Sequence, residues 1–118
     1  MHQANILFHG ADIDPRSQIG DGLLLQHPVG TVIGGGASIG KDCTLMGGVV
    51  LGRREVRGGA SPLQYPQVGS EVLLGAGACV LGRVMVGDRA VVGALALVLK
   101  DVPSDSVAVG NPATIRPR

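Results

Sequence analysis

The residue best placed to do chemistry in this chain is His27. It stands with Pro28 in Gln26–Thr31, a stretch two residues too long for the repeat around it. A neutral imidazole, which ordinarily titrates near about 6.5, can take a proton from a reacting group at neutral pH. A loop histidine satisfied by water would look the same from sequence. His2 and His9 lie outside the repeat and read as terminal surface residues, so three histidines converging on a metal are not expected. The second chemical stretch lies between Leu51 and Val68 and holds Arg53, Arg54, Glu55, Arg57, Gly58, Gly59 and Pro62. That composition predicts an external loop, and loops thrown from a rigid scaffold often shape binding sites. Its arginines suit a solvated loop, or contacts to a phosphate or an anionic acceptor. Tyr65, near its end, suits either loop packing or the wall of an acceptor pocket. Asp14 before Pro15 reads as a turn former.

Both stretches are visible because the rest of the chain keeps strict time. Val68, Leu74, Val80, Val86, Val92 and Val98 are six residues apart. Four residues after each of the first five comes a small or β-branched residue: Val72, Ala78, Val84, Ala90 and Ala96. Six is a multiple of the strand period of two and not of the helix period. Short strands joined by turns keep both positions inward, and Gly69, Gly75, Gly87 and Gly93 stand where the backbone is expected to bend. This is the hexapeptide pattern of a parallel β-helix. It begins at Ile13 and Ile19, reaches Leu25, resumes two residues late at Ile33, and runs through Ile39, Leu45 and Leu51. The step from Leu51 to Val68 is about eleven residues longer than one hexad.

The bulk properties fit one domain over residues 1–118. One Phe, one Tyr and no Trp suit a column of stacked aliphatics better than an aromatic-centred core. A formal charge of +1 without a basic cluster gives no case for nucleic acid. The longest strongly apolar run, Val91–Leu99, is far below the roughly 20 residues that span a bilayer. Met1–Ala11 lacks the features of a signal peptide, which points to the cytoplasm. Cys43 and Cys79 fall at inward or near-inward positions and read as buried free thiols. Residues 1–10 are expected to cap the open end of the column. The pattern is expected to stop at Asp101-Val102-Pro103, leaving 101–118 as a C-terminal tail. Leu95, Leu97 and Leu99 have outward parity, and an apolar outer face predicts a subunit contact.

Several motifs resemble those of one family. They are Ala11-Asp-Ile-Asp-Pro, Ile19-Gly, Gln26-His-Pro-Val-Gly-Thr-Val-Ile-Gly, Leu74-Gly-Ala-Gly-Ala, Leu99-Lys-Asp-Val-Pro and Val109-Gly-Asn-Pro-Ala. Together they resemble the C-terminal domain of the serine acetyltransferases, within the left-handed β-helix acyltransferase superfamily. The resemblance implies an all-β, left-handed parallel β-helix of about five triangular coils, with one long external loop near 53–67. It also implies a homotrimer with acetyl-CoA as co-substrate, lying between neighbouring columns, and no metal. By the same resemblance His27 matches the general base and Asp12 the carboxylate paired with it. Such a base takes the proton of a hydroxyl as it attacks the thioester carbonyl, while the carboxylate holds the other ring nitrogen. Gly52, Ala76 and Ala94 match positions that meet the pantetheine arm; Lys100 and Arg116 are candidate phosphate partners by charge.

Three positions depart from the family pattern. Gln26 replaces an aspartate before the histidine, and Gln64-Tyr65-Pro66 replaces Arg-His-Pro in the long loop. Gln26, Gln64 and Tyr65 are the candidate acceptor-binding residues, and these departures favour a sugar or polyol hydroxyl over free serine. The resulting expectation is an acetyl-CoA-dependent O-acetyltransferase. The alternatives are a serine O-acetyltransferase proper, an N-acetyltransferase on an amino or nucleotide sugar, and a non-catalytic trimeric scaffold.

Overall fold

The protein is described by a computed structural model that covers Leu7 and Phe8 as backbone, residues 10–54 and residues 64–118. His2, His9, Glu55, Arg57, Gly58, Gly59 and Pro62, singled out above, lie outside the described residues. The strand β1 (Leu7–Phe8) precedes a first coil of β2 (Ala11–Ile13), β3 (Gln18–Ile19) and β4 (Leu24–Gln26). The second coil is β5 (Val32–Ile33), β6 (Ser38–Ile39) and β7 (Thr44–Met46). The third is β8 (Val50–Gly52), β9 (Gln67–Val68) and β10 (Leu73–Leu74), and the fourth is β11 (Cys79–Leu81), β12 (Met85–Val86) and β13 (Val91–Val92). The strands β14 (Leu97–Val98) and β15 (Ser106–Gly110), with a single bridge from Val102 to Val86, close a fifth coil; β16 (Ala113–Pro117) folds back on β15.

Strands stack coil on coil into three walls. Wall one is β1-β2-β5-β8-β11-β14, wall two is β3-β6-β9-β12, and wall three is β4-β7-β10-β13-β15-β16. All pairings between coils are parallel; only the end strands β1 and β16 pair antiparallel. This is the parallel β-helix that the hexads predict, with the left hand that the resemblance implies.

Register puts like residues above like. Ile33, Leu51, Val80 and Val98 stack inside wall one, and Leu45, Leu74, Val92 and Ala108 inside wall three. Each is almost fully buried. The small residues four places later fill the inner corners, including Val49, Ala78 and Ala96. A leucine buried in this way is worth roughly 1.5–3 kcal/mol relative to exposure. A column only one side chain deep has room for aliphatics and no room for rings.

Two expectations from sequence need correcting. The column does not end at Pro103. Val107 and Ala108 pair with Val91 and Val92, so the fifth coil runs to Gly110, and only the β16 side of the hairpin is a tail. Pro103 falls in a corner, where its missing N–H removes no ladder bond. Cys43 is buried, with its Sγ 3.1 Å from the carbonyl oxygen of Gly69, but Cys79 lies on wall one with its side chain outward and only half-buried.

Leu74 has no exposed surface and sits mid-column. Leu74→Ala is expected to cost about 3 kcal/mol of unfolding free energy, read as a lower urea midpoint at unchanged slope.

Candidate active site

His27 follows β4 directly, at the corner where wall three turns into wall one. In the next coil that corner takes three residues, Gly47 to Val49; here it takes five, His27 to Thr31. The two extra residues are expelled outward as a bulge, closed by a bond from the Thr31 amide to the Pro28 carbonyl at 3.0 Å. His27 is solvent-exposed and its backbone is left-handed, with φ of 52°. Other non-glycine residues share that conformation, but Asp42, Glu71, Arg89 and Asp105 recur once per coil at a different corner and belong to the turn itself. At His27's own corner Leu95 is left-handed as well, with φ of 62°, as are Gly48 and Gly77, so what sets His27 apart is the two-residue bulge it stands on. Non-glycine residues held this way cost of order 1–3 kcal/mol and gather at functional sites. Gly47 makes the bulge possible, since a Cβ there would collide with the His27 carbonyl oxygen.

Asp12 lies on the other side of the same corner. It is the exposed middle residue of β2, in register with Val32, and its amide donates to the Thr31 carbonyl at 2.8 Å. Asp12 is two residues past Gly10, whose carbonyl oxygen accepts the Gly30 amide at 3.2 Å. The structure thus brings Asp12 and His27 to one corner, with no hydrogen bond between their side chains in the isolated column among the described residues. Gln26 is exposed at the end of β4, in register with Met46.

The cofactor and loop candidates divide between two corners. Ala76 and Ala94 are exposed and stacked above the His27 corner, joined by a 2.9 Å bond from the Leu95 amide to the Ala76 carbonyl. Gly52, Gln64, Tyr65 and Lys100 lie at the opposite end of wall one, where it turns into wall two. Gly52 is in register with Leu81. A Cβ at Gly52 would make ordinary 3.6 Å contact with Leu81, so nothing within the column requires glycine there. Tyr65 packs across Gly34, and the Gln64 side-chain oxygen is buried without a donor among the described residues. Lys100 joins Arg54, Val98, Leu99 and the Pro112–Ile115 hairpin around a cavity of about 360 Å³. Arg116 is exposed on β16, one residue beyond that lining.

Sequence reasoning passed over Arg16 and Arg83. Both line a larger cavity, about 470 Å³, between the Tyr65 corner and the outer face of wall two. The signal was present in Asp14: that carboxylate caps its turn by accepting the Arg16 amide at 2.9 Å, and it grips the Arg16 guanidinium at 2.8 and 3.1 Å. The hydrogen bonds from Arg16 hold the Asp14 carboxyl down at about 2. Burial pushes the Cys43 thiol up, which makes it a poor nucleophile. Among the described residues no helix is long and apolar enough to cross a membrane.

No family model matches the chain. Serine acetyltransferase 2 of Arabidopsis thaliana is 45% identical over 106 residues, which cover 90% of this chain and 32% of that protein. The serine acetyltransferase of Helicobacter pylori is 44% identical over 104 residues, 88% of this chain and 59% of that protein. Among solved structures, soybean serine acetyltransferase complexed with serine superposes with a TM-score of 0.85 at 42% identity, covering 91% of this chain and 43% of that one. Serine acetyltransferase from Brucella abortus in complex with coenzyme A gives 0.85 at 35% identity, covering 92% and 42%. The chain therefore spans only part, about a quarter to three-fifths, of the curated relatives it matches.

The Asp14–Arg16 pair has a pH signature. A carboxyl lowered from 3.8 to about 2 in the fold contributes stability above 3.8 that is lost as the pH falls through about 2. Carbon-detected NMR titration is expected to find the Asp14 midpoint near 2, returning toward 3.8 in Arg16→Gln. An unchanged midpoint in that variant would remove Arg16 as the cause.

Proposed function

The chain is a serine acetyltransferase-like hexapeptide-repeat β-helix, and from that premise we propose that it transfers an acetyl group from acetyl-CoA to a hydroxyl. The observation that carries the reading is His27, raised on a bulge two residues longer than the same corner in the next coil, with Asp12 across that corner. The acceptor is serine or a hydroxy amino acid close to it. Gln26, Gln64 and Tyr65 had favoured a sugar or polyol, but relatives at 44–45% identity are serine acetyltransferases and a soybean relative is complexed with serine.

His27 acts as general base. It takes the hydroxyl proton as the oxygen attacks the thioester carbonyl, and returns it to the departing CoA sulfur when the tetrahedral intermediate collapses. The transfer is direct, so no side chain is acetylated on the way. Asp12 holds the second ring nitrogen and stabilises the imidazolium between the two proton movements. Ala76 and Ala94 leave room for the pantetheine arm beside His27, and Gly52 does so at the far end of wall one. Arg54 and Lys100, at the 360 Å³ cavity, meet the CoA phosphates, with Arg116 near its rim.

The split of these residues between two corners supports a trimer. Wall one carries Val32, Val50 and Leu97 outward, and Leu95 at its edge is 74% exposed. Three columns turning wall one toward a common axis set the His27 corner of each against the Tyr65 corner of the next. The site then lies between columns, closed by two copies.

Calorimetric titration with acetyl-CoA is expected to saturate near one site per chain; no binding at millimolar ligand would sink the reading. His27→Ala should lower turnover on serine at least about 100-fold while sedimentation shows an intact trimer. Near-wild-type activity would take His27 out of the mechanism. Leu97→Glu should dissociate the trimer, and an unchanged sedimentation profile would remove wall one as the interface.

A further inference from the structure

Leu95 stands where the column calls for glycine. Along the wall-three to wall-one corner the left-handed position is held by Gly30 (φ 81°), Gly48 (77°), Gly77 (73°) and then Leu95 (62°). Glycine adopts that conformation freely, whereas a leucine is crowded there by its own Cβ. Among the described residues no other apolar side chain is held left-handed. The column gains no burial in return, because Leu95 is 74% exposed. It also stands off the outward row of wall one, which runs Val32, Val50, Cys79, Leu97. Its side chain lies back over Gly77, where an added Cβ would come within 2.6 Å of Leu95 Cδ2. Leu95 therefore reaches along the corner toward the His27 bulge, beside the exposed Ala76 and Ala94.

We propose that Leu95 is a specificity residue for the acyl carrier, packing its methyl groups against the gem-dimethyl carbon of the pantetheine arm. The inference rests on the transferase reading and deepens it. Gly30, Gly48, Gly77 and Leu95 belong to successive coils, so Leu95 is three steps from the His27 bulge. At about 4.8 Å per step that is roughly 14 Å, and the side chain reaches back over part of the last step. In the arm the gem-dimethyl carbon is about ten bonds from the thioester sulfur, or roughly 12 Å when extended at ~3.5 Å per three bonds. An arm whose thioester meets His27 thus brings its one branched hydrocarbon group to Leu95. Its slender amide and methylene stretch passes Gly48 and Gly77, where no side chain stands in the way.

The test compares thioesters of different length. S-acetylpantetheine contains the gem-dimethyl carbon, and S-acetyl-N-acetylcysteamine ends before it. Leu95→Gly should raise KM for acetyl-CoA and S-acetylpantetheine at least about fivefold, and leave KM for S-acetyl-N-acetylcysteamine within about twofold. Calorimetric titration with acetyl-CoA should show the same weakening in the absence of turnover. Leu95→Ala should weaken binding equally, but only Leu95→Gly should raise the urea midpoint, because it alone relieves the backbone. An equal effect on all three thioesters, or none on any, overturns the proposal. A lower midpoint in Leu95→Gly than in Leu95→Ala overturns the strain from which it starts. Dissociation of Leu95→Gly in sedimentation would make Leu95 a subunit contact and overturn the assignment too. Wild type that binds neither acetyl-CoA nor S-acetylpantetheine defeats the transferase reading itself, and Leu95 falls with it.

Discussion

The hydrogen-bond ladder between coils is the constraint on which everything else depends. Val32 donates to Val49, Val50 to Ala78 and Cys79 to Ala96, each at 2.9 Å, so every residue of a wall is tied to its counterpart one coil on. That ladder admits only coils of equal length. Surplus residues have to leave at a corner, because a surplus within a wall would break the ladder and flip the inward side chains to solvent. The chain has two surpluses, and both leave at corners that bound wall one. One lifts His27 into solvent; the other leaves after Arg54 and returns through Gln64 and Tyr65. The candidate site residues stand where they do because those are the positions the ladder does not own.

The same constraint explains the chemistry of the interior. Stacked coils bury aliphatics efficiently and leave almost no place for a charged group, so titratable residues are pushed to corners and outer faces. Cys43, the one thiol drawn into an inner corner, is silenced by burial. The charged pairs lie outside, as with Arg89 and Asp105 at 2.8 Å, where solvent screening leaves them little weight in stability. Reactivity must therefore come from geometry at the surface. His27 stands on a bulge for which Gly47 leaves room, and the cavity beside Tyr65 is bounded by Gly35 and Gly36.

Much of this was legible in sequence, for a physical reason. A period of six written in Val, Leu and Ile follows directly from a column one side chain deep, and an interrupted period marks its own exceptions, so His27 and the long loop stood out. What was not legible depends on contacts between coils far apart in the chain. Gly75 read as a bend, yet its need is room, since a Cβ there would come within 2.7 Å of the Ala94 amide. Pro103 read as a stop because proline cannot serve a ladder, but only the three-walled path shows that it falls in a corner. Arg16 and Arg83 are 67 positions apart and belong to no motif. Three coils of stacking bring both onto the lining of one cavity, which no local pattern records.

Placing the two surpluses at opposite ends of one wall has a further consequence. Within a single column His27 and the Tyr65 corner cannot meet, because wall one lies between them. The outward side chains of that wall include Val32, Val50 and Leu97, a surface that a solitary column would leave in water. Apolar burial favours turning this wall toward other copies, at roughly 25 cal/mol per Å² removed from water. The same rotation carries His27 of one column to the Tyr65 corner of the next. In the proposed reading assembly and catalysis draw on one face: the apolar residues that would hold the columns together would also set the width of the cleft beside His27.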